Sequence, residues 1–316
     1  MKALRTLLAT AALAAAALAG DAATAQEKAR IVVVTHGQAA SGFWSVAKRG
    51  VDDAAKDFPD LTVEYRAPET FDMVTMAQLV DAAVASNPDG LVVSIPDADA
   101  LGKSIKAAVA AGIPVISMNS GSDVAKSLGV MRHVGQTEYE AGIGGGVKMH
   151  NMGVTKAACI NQEVGNVALD VRCEGFKEGL GEGTTVDIVP TTIDPTEVKG
   201  AVTAYLSSHP DTQAIFILGS DPAMPALDAI ESSGLSGKVK AATFDLSEGI
   251  LQAVADGKME FAIDQQQYMQ GYLPVVLLRL YKKFGLMPGA DVLTGPGFVT
   301  KENASRVIQW SKEGYR

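Results

Sequence analysis

The sequence predicts an α/β protein of two similar lobes, each a doubly wound parallel sheet, joined by short hinge crossovers. Three observations lead there. Short apolar runs alternate with amphipathic stretches, the pattern of strand–helix units that assemble into parallel sheets. The rhythm runs for about five units and then starts again, so one chain encodes two copies of one layout. A length of 316 residues also exceeds the size at which a single hydrophobic core keeps growing.

The first element is a leader. Lys2 and Arg5 precede an apolar stretch from Leu7 to Ala19, and the small residues Ala23 and Ala25 follow. This is the pattern of a cleaved signal peptide, so residues 1–25 are expected to be removed and the mature chain to begin at Gln26 in the periplasm. The stretch is interrupted at Asp21, short of the roughly 20 apolar residues a membrane span needs.

Ile31 to Thr35 is a β-branched run of buried-strand character. Phe43, Ala47, Val51, Ala54 and Phe58 recur at helical spacing, and Pro59 stops that helix. Leu61 to Tyr65 is the second strand, and Asp72 opens a helix with Met73, Met76, Val80 and Val84 on its apolar face. Asn87-Pro88-Asp89-Gly90 is a turn before the strand Leu91 to Ile95. The next helix ends at Gly112, which tolerates the positive φ of a helix terminus. Pro114 to Met118 and Leu128 to Val134 complete the first set of strands. The second set is Ala157 to Asn161, Val186 to Val189, Ala214 to Leu218, Val239 to Phe244 and Phe261 to Ile263. Helices near 167–180, 197–208, 222–233 and 247–255 separate these strands. The expected lobes are residues 26–134 with 265–292, and 135–264 with 293–316.

Composition narrows the function. The formal charge of −9 without basic runs argues against nucleic acid and anionic lipid as partners. Cys159 lies in a strand and Cys173 near the start of the helix that follows, so an exported protein offers them a disulfide, with two buried thiols as the alternative. The four histidines, His36, His133, His150 and His209, show no metal-ligand spacing. Gly142 to Gly146 follows a helix start rather than a strand and lacks dinucleotide spacing, so it reads as close helix packing. No G-x-S-x-G, zinc motif or phosphate loop is present, and no cofactor or catalytic set is expected.

Parallel sheets of this kind bind ligands beyond the carboxyl ends of their strands. The segments there are 36–44, 119–122, 136–137, 161–166, 219–221, 245 and 264–266, rich in hydrogen-bonding groups and aromatics. The chain resembles the ribose-type family of periplasmic sugar-binding proteins. The resemblance is carried by Phe43-Trp44-Ser45-Val46-Ala47-Lys48-Arg49-Gly50, by residues 112–119, by Val171-Arg172-Cys173-Glu174-Gly175-Phe176, by Thr243-Phe244-Asp245 and by residues 264–268. It covers essentially the whole mature chain and implies a cleft that closes on one small neutral carbohydrate, a pentose, hexose, deoxyhexose or polyol. It also implies delivery to the permease and ATPase of an ABC importer, by a monomer. Asn119-Ser120 stands where ribose binders carry Asp-Arg, which points away from ribose itself.

Each candidate has a structural alternative. By the resemblance Phe43 and Trp44 form the aromatic wall. Phe43 also lies on the apolar helix face, whereas Trp44 is off it, and an aromatic ring suits the C–H face of a sugar. Arg172 matches a ligand-binding arginine, or is a surface residue tied to Glu174 or Glu178. Asp245 can accept from two vicinal hydroxyls, or cap a helix near Ser247. Neither Arg172 nor Asp245 is expected to support a core. Gln265 matches a family glutamine at a crossover or is an ordinary strand residue, and Ser220 or Asp221 stands at the place of a family asparagine. Asn119, where the chain departs from the family, binds ligand or stabilises the turn that Gly121 allows, and His36, Ser120 and Gln136 complete the set. The rival readings are a sensor protein presenting its ligand to a chemoreceptor or kinase, and a Rossmann-like sugar enzyme.

Overall fold

The computed structural model describes residues 28–39 and 41–316. The expected leader and its cleavage point lie outside the described residues. In the first half, β1 (Ala29–Val34), β2 (Leu61–Arg66), β3 (Gly90–Val93), β4 (Val115–Asn119) and β5 (Arg132–Gly135) alternate with α1 (Gly42–Asp57), α2 (Met73–Ala85) and α3 (Ala98–Ala110). The second half repeats the scheme with β6 (Lys156–Asn161), β7 (Thr185–Pro190), β8 (Ala214–Ile217), β9 (Lys240–Phe244) and β10 (Phe261–Asp264). Its helices are α4 (Glu138–Asn151), α5 (Val167–Leu180), α6 (Pro195–Ser208), α7 (Ser220–Ser232) and α8 (Glu248–Ala255). Then follow α9 (Gln267–Phe284), β11 (Val292–Leu293), β12 (Gly297–Thr300) and α10 (Ala304–Lys312).

The strands form two sheets, ordered β11-β5-β4-β3-β1-β2 and β12-β10-β9-β8-β6-β7. All pairings are parallel except β12 on β10. Strand periodicity explains why β1 is apolar from Ile31 to Val34. Val32 and Val34 enter a core with α2 and α3, while Ile31 and Val33 enter the core on the other face with α1 and α9. Each such buried side chain contributes on the order of 1.5–3 kcal/mol. Local signals agree with this packing: Asp72 accepts from the Thr75 amide at 2.7 Å and starts α2.

The fifth strand starts at Arg132 rather than Leu128. Residues Ala125–Leu128 form a 3-10 turn, and Gly129, at φ +81°, breaks the backbone before the strand begins. Cys173 lies in the middle of α5 rather than near its start, and is bonded to Cys159 of β6 with Cα atoms 6.1 Å apart.

The glycine cluster packs helices as expected. A Cβ on Gly142 or Gly146 of α4 would overlap the carbonyl oxygens of Arg172 or Phe176, and one on Gly175 or Gly179 of α5 would overlap those of Tyr139 or Ile143. The two helices therefore touch backbone to backbone.

The chain passes between the sheets after Gly135, after Asp264 and after Leu293. Side chains and backbone lace these passages together. Thr294 N donates to Gly135 O at 2.8 Å, Gln266 Nε2 to Thr294 O at 2.7 Å, and Gln270 Nε2 to Thr294 Oγ1 at 3.0 Å.

Candidate functional site

Both sheets reverse strand order beside their first strand, between β1 and β3 and between β6 and β8. The carboxyl ends at these points face each other across a cavity of about 450 Å³. The two sides meet at its margin, where Gly42 N donates to Asp221 Oδ1 at 3.3 Å and Val167 N to Pro96 O at 3.0 Å.

The first sheet supplies His36, Phe43, Trp44 and Asn119. Trp44 and Phe43 are both buried, edge to face at 4.9 Å between centroids, and both also join the core beneath α1. The indole lies so close over Gly37 that a Cβ there would overlap it. His36 Nδ1 lies 2.9 Å from Ser94 Oγ. Burial, with Arg172 adding to it, pushes the imidazole down to about 3, so it is neutral. Asn119 adopts φ +64° and donates to Gln270 Oε1 at 3.3 Å. This left-handed backbone, unusual for a residue other than glycine, turns its side chain at the strand end.

The second sheet supplies Arg172, Ser220, Asp221 and Asp245. Asp245 also sits in the left-handed region, at φ +70°. It does not cap α8: Ser247 does, accepting from the Ile250 amide at 3.3 Å. Asp245 Oδ1 instead accepts from Gln265 Nε2 at 2.6 Å, which ties the cavity to the passage after β10. Burial raises the Asp245 carboxyl to about 7, against the opposing pull of Arg172 and Gln265. Burial likewise raises Glu163 and Asp221.

Arg172 is neither a surface residue nor paired with Glu174 or Glu178. It is 4% exposed and grips Glu138, Nε to Oε2 at 2.5 Å and Nη2 to Oε1 at 3.2 Å. Burial works against its charge, but Glu138 more than offsets that and holds the guanidinium protonated. The expectation that Arg172 supports no core is thus overturned, because its removal would strand Glu138 in the interior.

Ser120 and Gln136 are not brought to the cavity wall. Ser120 is buried behind Asn119, where its carbonyl accepts from Ile95 N at 3.2 Å. Gln136 sits at the passage after β5 and donates to Glu138 Oε2 at 3.1 Å.

The wall also holds residues that were not singled out. Gln162 and Glu163 follow β6, Thr191 follows β7, and Thr70 and Phe71 follow β2. Among the described residues, Gln162 Oε1, Thr191 Oγ1 and Ser220 Oγ are buried without a hydrogen-bond partner. Chemically, the cavity offers acceptors, amide and guanidinium donors and an aromatic face to a compact polar molecule. No group of His, Cys, Asp and Glu suited to holding a metal ion occurs among the described residues.

A family model described as a periplasmic binding protein domain matches residues 31–285. The xylose/arabinose-binding protein XylF of Sulfolobus acidocaldarius is 26% identical over 289 residues, covering 87% of this chain and 71% of that protein. The D-ribose/D-allose-binding protein of Pseudomonas aeruginosa is 26% identical over 255 residues, covering 76% of this chain and 77% of that protein. Among solved structures, a carbohydrate transporter from Acidothermus cellulolyticus in complex with myo-inositol superposes with a TM-score of 0.86. It is 33% identical, over 92% of this chain and all of that one.

Proposed function

Because this chain belongs to the periplasmic binding protein family, we propose that it captures a neutral monosaccharide or polyol in this cavity and delivers it to the permease and ATPase of an ABC importer. Export with cleavage before Gln26 and action as a monomer belong to the same reading, with residues 26–134 plus 265–292 and 135–264 plus 293–316 as the lobes.

The observation that carries it is the convergence, from both sheets and one passage, of Asp245, Arg172, Asn119 and Gln265 on a cavity walled by Trp44. Each hydroxyl of a polyol both donates and accepts. Carboxylate acceptors and guanidinium or amide donors are therefore complementary to it, and the unpartnered Gln162, Thr191 and Ser220 atoms gain partners. The names of the relatives support the same ligand class. Binding stabilises the arrangement in which the lobes meet, and the permease reads that state. The expected outcome is binding without turnover, since the serine that His36 contacts, Ser94, is buried outside the cavity wall.

The test is a thermal-shift screen of the mature protein against myo-inositol, D-ribose, D-xylose, L-arabinose, D-allose and related sugars, followed by calorimetry. A ligand at about a thousand times its Kd stabilises by roughly 4 kcal/mol. No shift with any neutral carbohydrate, or conversion of the bound one detected by NMR, sinks the reading.

A further inference from the structure

The cavity wall carries one permanent cation and three carboxyl groups. Arg172 is the sole Arg or Lys among the lining residues, and Glu163, Asp221 and Asp245 are the acids. Glu138 does not line the cavity but sits behind it, 6% exposed, where α4 begins. Its carboxylate takes the Nε and Nη2 edge of Arg172. Nη1 donates to the Leu218 carbonyl at 2.9 Å, and the guanidinium lies over the Phe244 ring, 4.3 Å from its centroid. Of the five N–H groups of a guanidinium, these bonds leave two. Arg172 therefore meets the cavity as a hydrogen-bond donor whose charge is already matched.

We propose that Glu138 sets the ligand class of the site. By neutralising Arg172 from behind, it makes the cavity accept uncharged hydroxyl-bearing solutes and reject their anionic counterparts. This rests on the reading of the cavity as a carbohydrate site. An entering carboxylate or phosphate would lose its hydration and face three acids, with no unmatched cation to compensate it. His36 adds no positive charge, because burial keeps it neutral. A hydroxyl loses far less water and still uses the two remaining Arg172 N–H groups. Glu138 is thus a positioning and specificity residue acting through Arg172, held by Gln136 on its other side.

The test is calorimetric titration of paired probes: D-glucose and D-glucuronate, D-galactose and D-galacturonate, D-ribose and its 5-phosphate, myo-inositol and its 1-phosphate. Wild type, Glu138→Gln, Glu138→Asp and the double variant Glu138→Gln/Arg172→Gln are compared, with melting curves beside them. Wild type should prefer the neutral member of the pair containing its tightest ligand by at least about 100-fold. Glu138→Gln, which removes the foremost of the carboxylates matching Arg172, should move that ratio toward the anion by roughly 10- to 100-fold, the effect of a hydrogen bond to a charged group. Glu138→Asp should restore the wild-type ratio. The double variant leaves neither half of the Glu138–Arg172 pair unmatched, so it should fold even if the single one does not, and should still reject the anion. A wild type that binds both members equally, a Glu138→Gln ratio equal to wild type, or a double variant that accepts the anion overturns the proposal. Absence of any neutral ligand is a different result, and falls on the carbohydrate reading instead.

Discussion

Replacing Asp245 by Asn isolates a cavity carboxyl that burial shifts strongly. The amide keeps an oxygen for Gln265 Nε2 and a similar volume, but cannot ionise. In the folded protein burial lifts the Asp245 carboxyl from 3.8 to about 7. Between those values the folded chain holds a proton that the unfolded chain has released. The contribution to stability is therefore complete below pH 3.8 and is lost as pH rises through about 7. Worked through, the ligand-free wild type should lose about 1.4 kcal/mol more than Asp245→Asn between about pH 6 and pH 8. The buried histidines His36 and His133, pushed down from 6.5 to about 3 and about 4 by burial, add stability as pH rises through 6.5, but they do so in both proteins and drop out of the difference. Glu163 and Asp221 are present in both proteins, so only the coupling of Asp221 to Asp245 enters the difference. The assay is urea unfolding of both mature, ligand-free proteins at several pH values. Carbohydrate should act in the opposite sense: hydroxyls donating to Asp245 favour its ionised form, so affinity should rise across the same range in wild type and stay flat in the variant. Parallel stability curves for the two proteins would refute the reasoning.

Arg172→Ala should destabilise the ligand-free protein by roughly 3–5 kcal/mol, since it leaves the Glu138 carboxylate buried and unmatched; an unfolding free energy within about 1 kcal/mol of wild type would contradict the ion pair. Opening the Cys159–Cys173 bridge by Cys→Ser should cost roughly 3 kcal/mol for a loop of about 15 residues, and thiol titration of the denatured, unreduced protein should find no free thiol. Gly37→Ala should drive the Trp44 indole from its seat, costing about 1–3 kcal/mol and weakening carbohydrate binding; Trp44 emission reports this against the exposed Trp310, and unchanged emission with unchanged affinity would show that the ring does not rest there.

The two-lobed α/β layout is legible because the central strands are apolar on both faces, as Ile31 to Val34 shows, and because helix caps such as Asp72 are written locally. The carboxyl-end rule then finds most of the cavity. It finds His36, Trp44, Asp221 and Asp245 and includes the segment of Gln162 and Glu163, while the family resemblance adds Arg172. Thr191 and Phe71 escape because they follow the edge strands β7 and β2, whose ends were not counted as site segments. The same rule applied to every strand would have reached them. Glu138 escapes for another reason. It lies 34 residues before Arg172, and the contact depends on how closely α4 and α5 approach, which no local pattern encodes. Ser120 and Gln136 show the converse: position after a strand brings a residue near the cleft, but the turn of the backbone decides whether its side chain enters.

The backbone contact between α4 and α5 has a kinetic consequence. With Gly142 against Arg172 and Gly175 against Tyr139, the helices are locked as one piece, and Glu138 and Arg172 ride on it together. The lobe opening proposed above leaves that piece intact, so the guanidinium is as well matched before a solute arrives as after the lobes meet. Selection against anions then acts at first encounter, in the rate of productive entry, rather than through slow expulsion from a closed complex.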